Sequence, residues 1–287
     1  MQCKDIAVWL DAFRTSEIDP ARAFEIRQHL EACESCAREA AFIEQIARDA
    51  RAAARPVRPA VADRYGAIDT DLGRVWIAFG MAGITFLHLA AGSAAEFEGF
   101  YRRRIRRATR PGEVPARYAD MVREAVAGSL RRGAAPVDIS RLAPFEQRVL
   151  GALQTIPAGE VRTYAWLARE AGRPSAVRAA GNAMARNPVP LLLPCHRAVP
   201  SPGGTGNYAF GSDLKRRLLS REGVPLDELD ELAQSGIRYI GCRSTHIFCF
   251  PTCRAARRIH APNRVKLAGA AAATAAGYRP CKLCRPV

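Results

Sequence analysis

The hydrophobic pattern changes character along the 287 residues of this chain. Residues 1–50 show helical spacing, with Ile6, Leu10 and Phe13 on one face of a first helix. A second helix is predicted over residues 21–32, after a proline break. Residues 51–67 carry two prolines and no apolar periodicity, which predicts a linker.

The middle of the chain predicts a small sheet with helices. Apolar runs at 73–80 and 84–90 are joined through Gly83 and predict a hairpin. Helical spacing follows near residues 94–108 and 116–131.

Beyond Pro144 the pattern is helical again. Helices are predicted over residues 145–153, 163–171 and 176–186. A Gly/Pro turn separates the last two, which indicates a helix-turn-helix. Ser175 is expected as the N-cap of its second helix, with Arg178 in the first turn.

Composition indicates a cytosolic, nucleic-acid-binding class. No apolar run is long enough to span a bilayer, and the first residues lack the pattern of a secretory signal. Nine cysteines then favour metal sites and reactive thiols over disulfides. The net charge of +15 indicates a polyanionic partner. It is uneven, because residues 1–50 carry −4 whereas residues 232–287 carry +10 and no acidic residue.

A candidate nucleophile lies in Pro194-Cys195-His196-Arg197, after an apolar run. A base and a positive charge beside a cysteine favour its thiolate, which is the reactive form. The alternative is a buried structural cysteine. The surrounding motifs are Val177-Arg178-Ala-Ala-Gly181, Arg186-Asn187-Pro188, Gly206-Asn207-Tyr208 and Arg221-Glu222-Gly223.

With these motifs, residues 144–225 resemble the DNA-binding domain of the O6-alkylguanine-DNA alkyltransferases, which move an alkyl group from guanine to one cysteine and are consumed. The resemblance implies that Cys195 is the acceptor and that His196 and Glu222 withdraw its proton through a water. It implies that Asn187 holds the turn before the cysteine strand, and that Tyr164 protonates or hydrogen-bonds the departing guanine.

The same resemblance assigns residues that face DNA and the alkyl group. Arg178 would enter the base stack and replace the flipped guanine, and Ser175 would lie at the same helix start. Pro190 and Tyr208 would wall the alkyl pocket. Ala209 departs from the family, which often has a hydroxyl there, so one hydrogen bond to O6 is expected to be missing or supplied from elsewhere.

The first fifty residues contain Cys3 and a His29-x3-Cys33-x2-Cys36 motif. Three thiols and an imidazole make a complete tetrahedral zinc set. The segment resembles the zinc-finger module of zinc-binding anti-sigma factors, which implies a protein partner such as a sigma factor. The alternative is a helical hairpin with small buried cysteines.

Two short cysteine pairs near the end of the chain predict a second zinc site, formed by Cys249, Cys253, Cys281 and Cys284. Their flanking residues resemble the Ada metal-binding domain, which repairs methylphosphotriesters and uses its first cysteine, here Cys249, as ligand and acceptor. A purely structural zinc site is the alternative.

This segment departs from the Ada pattern at His246, where the family usually has Gly, and at Phe250, where it often has Arg. Since a phenylalanine side chain cannot bind phosphate as arginine does, that role is expected of Arg254, Arg257 and Arg258. Cys242 fits neither pattern and receives no role.

The sequence therefore predicts a multidomain α+β protein: an N-terminal helical zinc module, an RNase H-like sheet domain, a helix-turn-helix catalytic domain and a small α/β zinc domain. The expected bounds are 1–50, linker 51–67, 68–140, 141–226 and 236–287. We expect a monomeric, single-turnover enzyme that binds alkylated double-stranded DNA. The rival hypothesis is a zinc-containing regulator that senses alkylation and signals through residues 1–50.

Overall fold

The computed structural model describes Cys3, Ile6 and Ile18 and residues 9–14, 20–53, 62–130, 136–201 and 203–287. The chain divides into two compact units, Met1–Ala60 and Val61–Val287. Within the described residues, every helix is too short or too polar to cross a bilayer.

The first unit is helical. Its described helices are α1 (Leu10–Arg14), α2 (Pro20–Ala32) and α3 (Glu34–Ala53). Ile6, Leu10, Ile26 and Cys36 form its core. The expectation of two helices was wrong, because the Cys-x2-Cys stretch opens a third helix instead of a turn; Glu34 favours that start by its charge at the helix N-terminus.

The second unit begins with a four-stranded sheet. Its elements are β1 (Asp63–Thr70), β2 (Gly73–Gly80), β3 (Gly83–His88), α4 (Ala94–Ile105), β4 (Thr109–Pro111) and α5 (Ala116–Ala127). The strand order is β3-β2-β1-β4, with only β4 parallel to its neighbour β1. The predicted hairpin is β2–β3.

The linker prediction for residues 51–67 was wrong at both ends. Helix α3 continues through Ala53, and β1 begins at Asp63, while residues 54–61 lie outside the described part of the chain. The alternation of apolar residues in β1 is weak because its first buried residue, Asp63, is a carboxylate and not an apolar side chain. The Asp63 side chain accepts hydrogen bonds from the Tyr101 hydroxyl and Arg107.

The expected catalytic part is mainly helical. It consists of α6 (Pro144–Leu153), β5 (Arg162–Thr163), α7 (Tyr164–Glu170), α8 (Val177–Ala185), a 3₁₀ turn (Cys195–Arg197), β6 (Ala198–Val199), α9 (Ser212–Arg221) and α10 (Leu226–Gln234). Helices α7 and α8 form the predicted pair. Ser175 is not the N-cap, because Ala176 takes that position and Ser175 belongs to the preceding turn.

The C-terminal part is a second four-stranded sheet with short helices. Its elements are β7 (Tyr239–Cys242), β8 (Ile247–Cys249), α11 (Arg254–Arg257), a 3₁₀ turn (Ala261–Asn263), β9 (Arg264–Leu267), α12 (Ala270–Ala275) and β10 (Arg279–Pro280), with strand order β10-β8-β7-β9. His246, where glycine was expected, has φ 50° in the β7–β8 turn, a conformation that favours glycine. The multidomain α+β prediction is confirmed.

Candidate active site and metal centres

The reactive-cysteine segment is held by one side chain. The Asn187 amide donates to the Leu193 carbonyl (2.8 Å) and to the Cys195 thiol sulfur (3.1 Å). Its carbonyl oxygen accepts from the Val189 amide (3.0 Å). Leu191 lies between Val189 and Leu193 and has φ 73°, so the turn is tight and its backbone is strained. The cysteine was expected on a strand, but it lies on a 3₁₀ turn that precedes β6.

His196 and Glu222 meet as the resemblance implied. Their side chains, Nε2 and Oε1, are 2.8 Å apart and almost fully buried. Arg197 forms two hydrogen bonds to the same carboxylate, at 2.9 and 2.8 Å. His196 Nδ1 has no protein partner among the described residues and is the nitrogen left to receive a proton.

The pKa values follow from burial and these contacts. Burial opposes ionisation of Glu222, but hydrogen bonds from His196 and Arg197 outweigh it and lower its pKa to about 2. Burial lowers the pKa of His196 despite Glu222, so the imidazole is neutral and can accept a proton. Burial raises the pKa of the Cys195 thiol, while Asn187 and Lys215 oppose that rise.

Lys215 was missed from the sequence because its position in a basic helix suggested a surface residue. Its side chain is fully buried, and its ammonium donates to the Ala198 carbonyl (2.6 Å) and the Asn207 carbonyl (3.3 Å). Burial lowers its pKa to about 8. When protonated, it places a positive charge in the interior near the thiol.

A cavity of about 320 Å³ opens beside Cys195. Pro190 lines it, as expected, and so does Ala209. Tyr208 does not line it; its hydroxyl lies next to the thiol without reaching hydrogen-bond geometry.

Aromatic residues from outside the motifs complete this cavity. They are Phe86, His88, Phe100 and Phe210. The His88 ring stacks on Phe100 with centroids 4.1 Å apart. Arg103 and Arg104 of α4 also line the cavity and bring positive charge to it. All of them except Phe210 were missed because the sheet and α4 are far in sequence from Cys195; Phe210 lies only two residues after Tyr208.

The two other predicted DNA-site residues lie on the helix pair. Tyr164 opens α7, where the Thr163 hydroxyl caps the helix by accepting from the Trp166 amide (3.1 Å). Burial and the neighbouring Cys195 raise the pKa of the Tyr164 hydroxyl. Arg178 is exposed in the first turn of α8.

The C-terminal cysteines converge as predicted. The sulfurs of Cys249, Cys253, Cys281 and Cys284 lie within 4.8 Å of one another, and all four residues are buried. A hydrogen bond from the Cys249 thiol lowers the pKa of Cys253 and raises that of Cys249. Four buried thiols at this spacing fit tetrahedral zinc, which binds such sulfurs as thiolates.

A cavity of about 450 Å³ borders this cluster. Its lining includes Cys249 and three cations, Arg258, Arg279 and Lys282. Of the three arginines expected at phosphate, only Arg258 lines it; Arg257 instead donates to the Gly159 carbonyl. Cys242 also lines this cavity, and hydrogen bonding from Ser244 lowers its pKa to about 7.

The N-terminal set also converges. Cys3, His29, Cys33 and Cys36 offer ligand atoms within 4.8 Å of one another. The Cys3 sulfur lies 3.7 Å from His29 Nε2 and 3.8 Å from the Cys33 sulfur. This donor set also fits zinc.

Three family models match the chain. The 6-O-methylguanine DNA methyltransferase DNA-binding domain matches residues 144–224, and the metal-binding domain of Ada matches residues 230–287. A zinc-finger family matches residues 3–37. The chain therefore carries an Ada-type zinc module and a zinc-finger module in addition to its catalytic part.

Relatives cover parts of the chain. The bifunctional transcriptional activator/DNA repair enzyme Ada of Escherichia coli (strain K12) is 34% identical over 56% of this chain and 46% of its own length. Among solved structures, Mycobacterium tuberculosis OGT in complex with DNA is 30% identical, with a TM-score of 0.47, over 59% of this chain and 98% of the other. The chain spans about half the length of the first curated relatives it matches.

The methylated-DNA–protein-cysteine methyltransferase of Shigella flexneri is 39% identical over 42% of this chain and 67% of its own length. Together with the family match around Cys195, this relative assigns the catalytic part. The chain belongs to the methylated-DNA–protein-cysteine methyltransferase family.

Proposed function

We propose that this protein repairs alkylated DNA by transferring the alkyl group from guanine O6 to Cys195. The Cys195 sulfur forms a bond to the alkyl carbon as the carbon–O6 bond breaks. The thiol proton passes to His196 Nδ1, directly or through a water, and a proton ends on the released guanine. The observation that carries this proposal is a buried thiol, held by Asn187 and open to a cavity, on the residue that directly precedes the His196 of the His196–Glu222 pair.

Surrounding residues support the transfer. Ionised Glu222 stabilises the imidazolium that forms on His196. In this proposal Tyr164, at the start of α7, hydrogen-bonds the departing guanine, and Arg178, exposed on α8, fills the base stack once guanine has flipped out. The thioether product leaves no group to regenerate the thiol, so each molecule reacts once.

Peptide mass spectrometry after incubation with O6-methylguanine duplex DNA tests this proposal. We expect one methyl on the Cys195 peptide and none in the Cys195→Ala variant, which should still bind the duplex. The matched control is Cys242→Ala, which should transfer normally. Methyl transfer from guanine by Cys195→Ala would exclude Cys195 as the nucleophile.

We propose a second transfer, from DNA methylphosphotriesters to Cys249. The supporting observation is the cavity in which this buried ligand cysteine meets Arg258, Arg279 and Lys282, cations suited to phosphate. Zinc in the four-cysteine site would keep the sulfur as a thiolate. Methylation would remove a negative charge from a phosphate-facing surface, so DNA affinity should rise.

Methylphosphotriester DNA tests this second transfer, with peptide mapping to separate Cys249 from Cys242. Methyl on the Cys249 peptide, retained in Cys242→Ala, is the expected result. Methyl on Cys242 alone, or on neither, would leave the cluster with a structural role.

A separate helical unit favours a second candidate function. The four-ligand set of Cys3, His29, Cys33 and Cys36 lies in the unit Met1–Ala60, whereas Cys195 and Cys249 belong to the other unit. The unit would report alkylation to a protein partner, with repair as one of two outputs. Affinity capture on residues 1–60, before and after alkylation, tests it; no partner in either state would remove the support.

A further inference from the structure

The catalytic part and the C-terminal zinc module share a buried segment. Residues 154–161, here called the junction loop, connect α6 to β5. On one face of the loop, the Val161 amide donates to the Thr252 hydroxyl (3.0 Å), and Thr252 is fully buried. Since Thr252 precedes the ligand Cys253, the metal-binding segment lies directly on this loop.

The residues after Cys253 strengthen the same contact. The Arg254 amide, which opens α11, donates to Glu160 Oε1 (3.1 Å). The Arg257 guanidinium donates to the Gly159 carbonyl. The zinc module therefore holds three successive residues of the loop: Gly159, Glu160 and Val161.

The opposite face of the loop supports the catalytic residues. Arg197, which holds the Glu222 carboxylate, also donates to the Ile156 carbonyl (2.6 Å). At Gly159 the approach is so close that a Cβ would lie 2.7 Å from the Glu222 carbonyl oxygen. Strand β5, which ends the loop, pairs with β6, which begins directly after Arg197.

Glu160 contacts both the zinc module and the catalytic part, because it accepts hydrogen bonds from Arg254 and from Arg162. It is 5% exposed, and its second oxygen accepts from Arg162, itself 3% exposed. The Arg162 guanidinium also lies over the rings of Trp166 (5.8 Å) and Phe250 (5.2 Å), one from each part. A buried ion pair of this kind has one favourable arrangement, because moving either partner leaves an uncompensated charge.

We propose that the C-terminal zinc module supports guanine repair at Cys195, with Glu160 as the positioning residue that links the metal-binding segment to the Arg197–Glu222–His196 group. Zinc fixes the Cys249–Cys253 segment and thereby the start of α11. That helix start holds Glu160, and the junction loop then holds Arg197 against Glu222. This inference rests on the proposed transfer to Cys195.

Substitution of Glu160 in the zinc-loaded full chain is the first test. Glu160→Ala should slow single-turnover methyl transfer from guanine roughly tenfold at saturating DNA, with unchanged DNA affinity. Glu160→Gln retains an acceptor for the Arg254 amide and should recover most of the rate. Glu170→Ala is the matched control, because it removes the ion pair with Arg285 between the same parts but outside the loop.

Metal removal is the second test and needs no substitution. A chelator should slow the reaction of Cys195 with iodoacetamide and speed hydrogen exchange at the Val161 and Arg254 amides. Added zinc should reverse both effects. Cys33→Ser, which damages only the N-terminal set, should leave both readouts as in the wild type.

Equal Cys195 reactivity and equal Val161 exchange with and without zinc would overturn the inference, as would a normal rate in Glu160→Ala. Failure of the proposed function gives a different result, namely no methyl on Cys195 in the zinc-loaded wild type. In that case iodoacetamide labelling and hydrogen exchange still decide whether the two parts are coupled.

Discussion

Two opposing effects set the pKa of the Cys195 thiol. Burial disfavours its thiolate, and the Asn187 amide and the buried Lys215 ammonium favour it. Such a thiol stays protonated until a base removes its proton, which limits unwanted reactions with small electrophiles. The neutral His196, oriented by Glu222, is that base in the proposed reaction.

Replacing Lys215 with Met should raise the pKa of the Cys195 thiol, because an interior positive charge is removed while volume is kept. Iodoacetamide labelling of Cys195 at pH 7 should slow roughly tenfold, the effect of one pKa unit. Lys266→Met, on β9, is the control and should label normally. An unchanged pH profile for Lys215→Met would show that this ammonium does not act on the thiol.

Glu222 should make stability depend on acid pH. Its pKa falls from 4.5 to about 2 on folding, so its contribution is complete above pH 4.5 and is lost as pH falls toward 2. A shift of that size corresponds to about 3 kcal/mol for this buried carboxylate.

Denaturant unfolding of Glu222→Gln and wild type across pH 2–7 checks this prediction. The variant should be less stable near neutral pH, and the difference should shrink as the wild-type carboxylate becomes protonated. A difference that is constant with pH would contradict the assignment.

Backbone geometry constrains the junction loop at Gly159. Gly159 combines φ 77° with close approach to the Glu222 carbonyl oxygen. Gly172, in the turn between α7 and α8, has nearly the same φ, 79°, but a Cβ added there would meet no described atom within 4 Å. The two glycines therefore separate conformational strain from steric conflict.

Gly159→Ala should lower the free energy of unfolding by about 2–4 kcal/mol, since strain and a backbone clash add. Gly172→Ala should cost only about 1 kcal/mol, the strain alone. Denaturant titrations of both variants give the comparison. Equal losses would mean that the loop moves freely away from Glu222.

Local pattern predicted most of the elements around Cys195, including helices α6, α7 and α8, because apolar spacing and turn residues act over short distances. The local pattern did not predict the positions of residues that depend on contacts with side chains or carbonyls distant in sequence. Asp63 begins a strand because Tyr101 and Arg107 donate hydrogen bonds to its carboxylate. Lys215 is buried because carbonyl oxygens of other segments accept hydrogen bonds from its ammonium.

The cysteine clusters were predictable for another reason. Ligand spacing in sequence is set by chelate geometry, so the Cys-x2-Cys and Cys-x3-Cys motifs indicate a metal before any fold is known. The docking of the zinc module on the junction loop has no such spacing. Phe250, a departure from the Ada pattern, packs against Tyr239 and lies under the Arg162 guanidinium, contacts that no local pattern predicts.

The protein as a whole consists of one unit that holds both proposed transfer sites and a second unit at residues 1–60. If the units are independent, deletion of residues 1–60 should leave methyl transfer to Cys195 within about twofold of wild type. Single-turnover kinetics of the truncated and full chains measure this. A larger loss would show that the zinc-finger unit takes part in repair.

Trp166 gives the molecule a built-in optical reporter. Its indole donates to the Cys284 carbonyl (3.0 Å) and is almost fully buried, so its emission should shift to longer wavelength when that hydrogen bond opens to water. The other two tryptophans, Trp9 and Trp76, lie in other parts of the chain and supply a background. Undocking of the zinc module would then be visible in stopped-flow fluorescence without any attached dye.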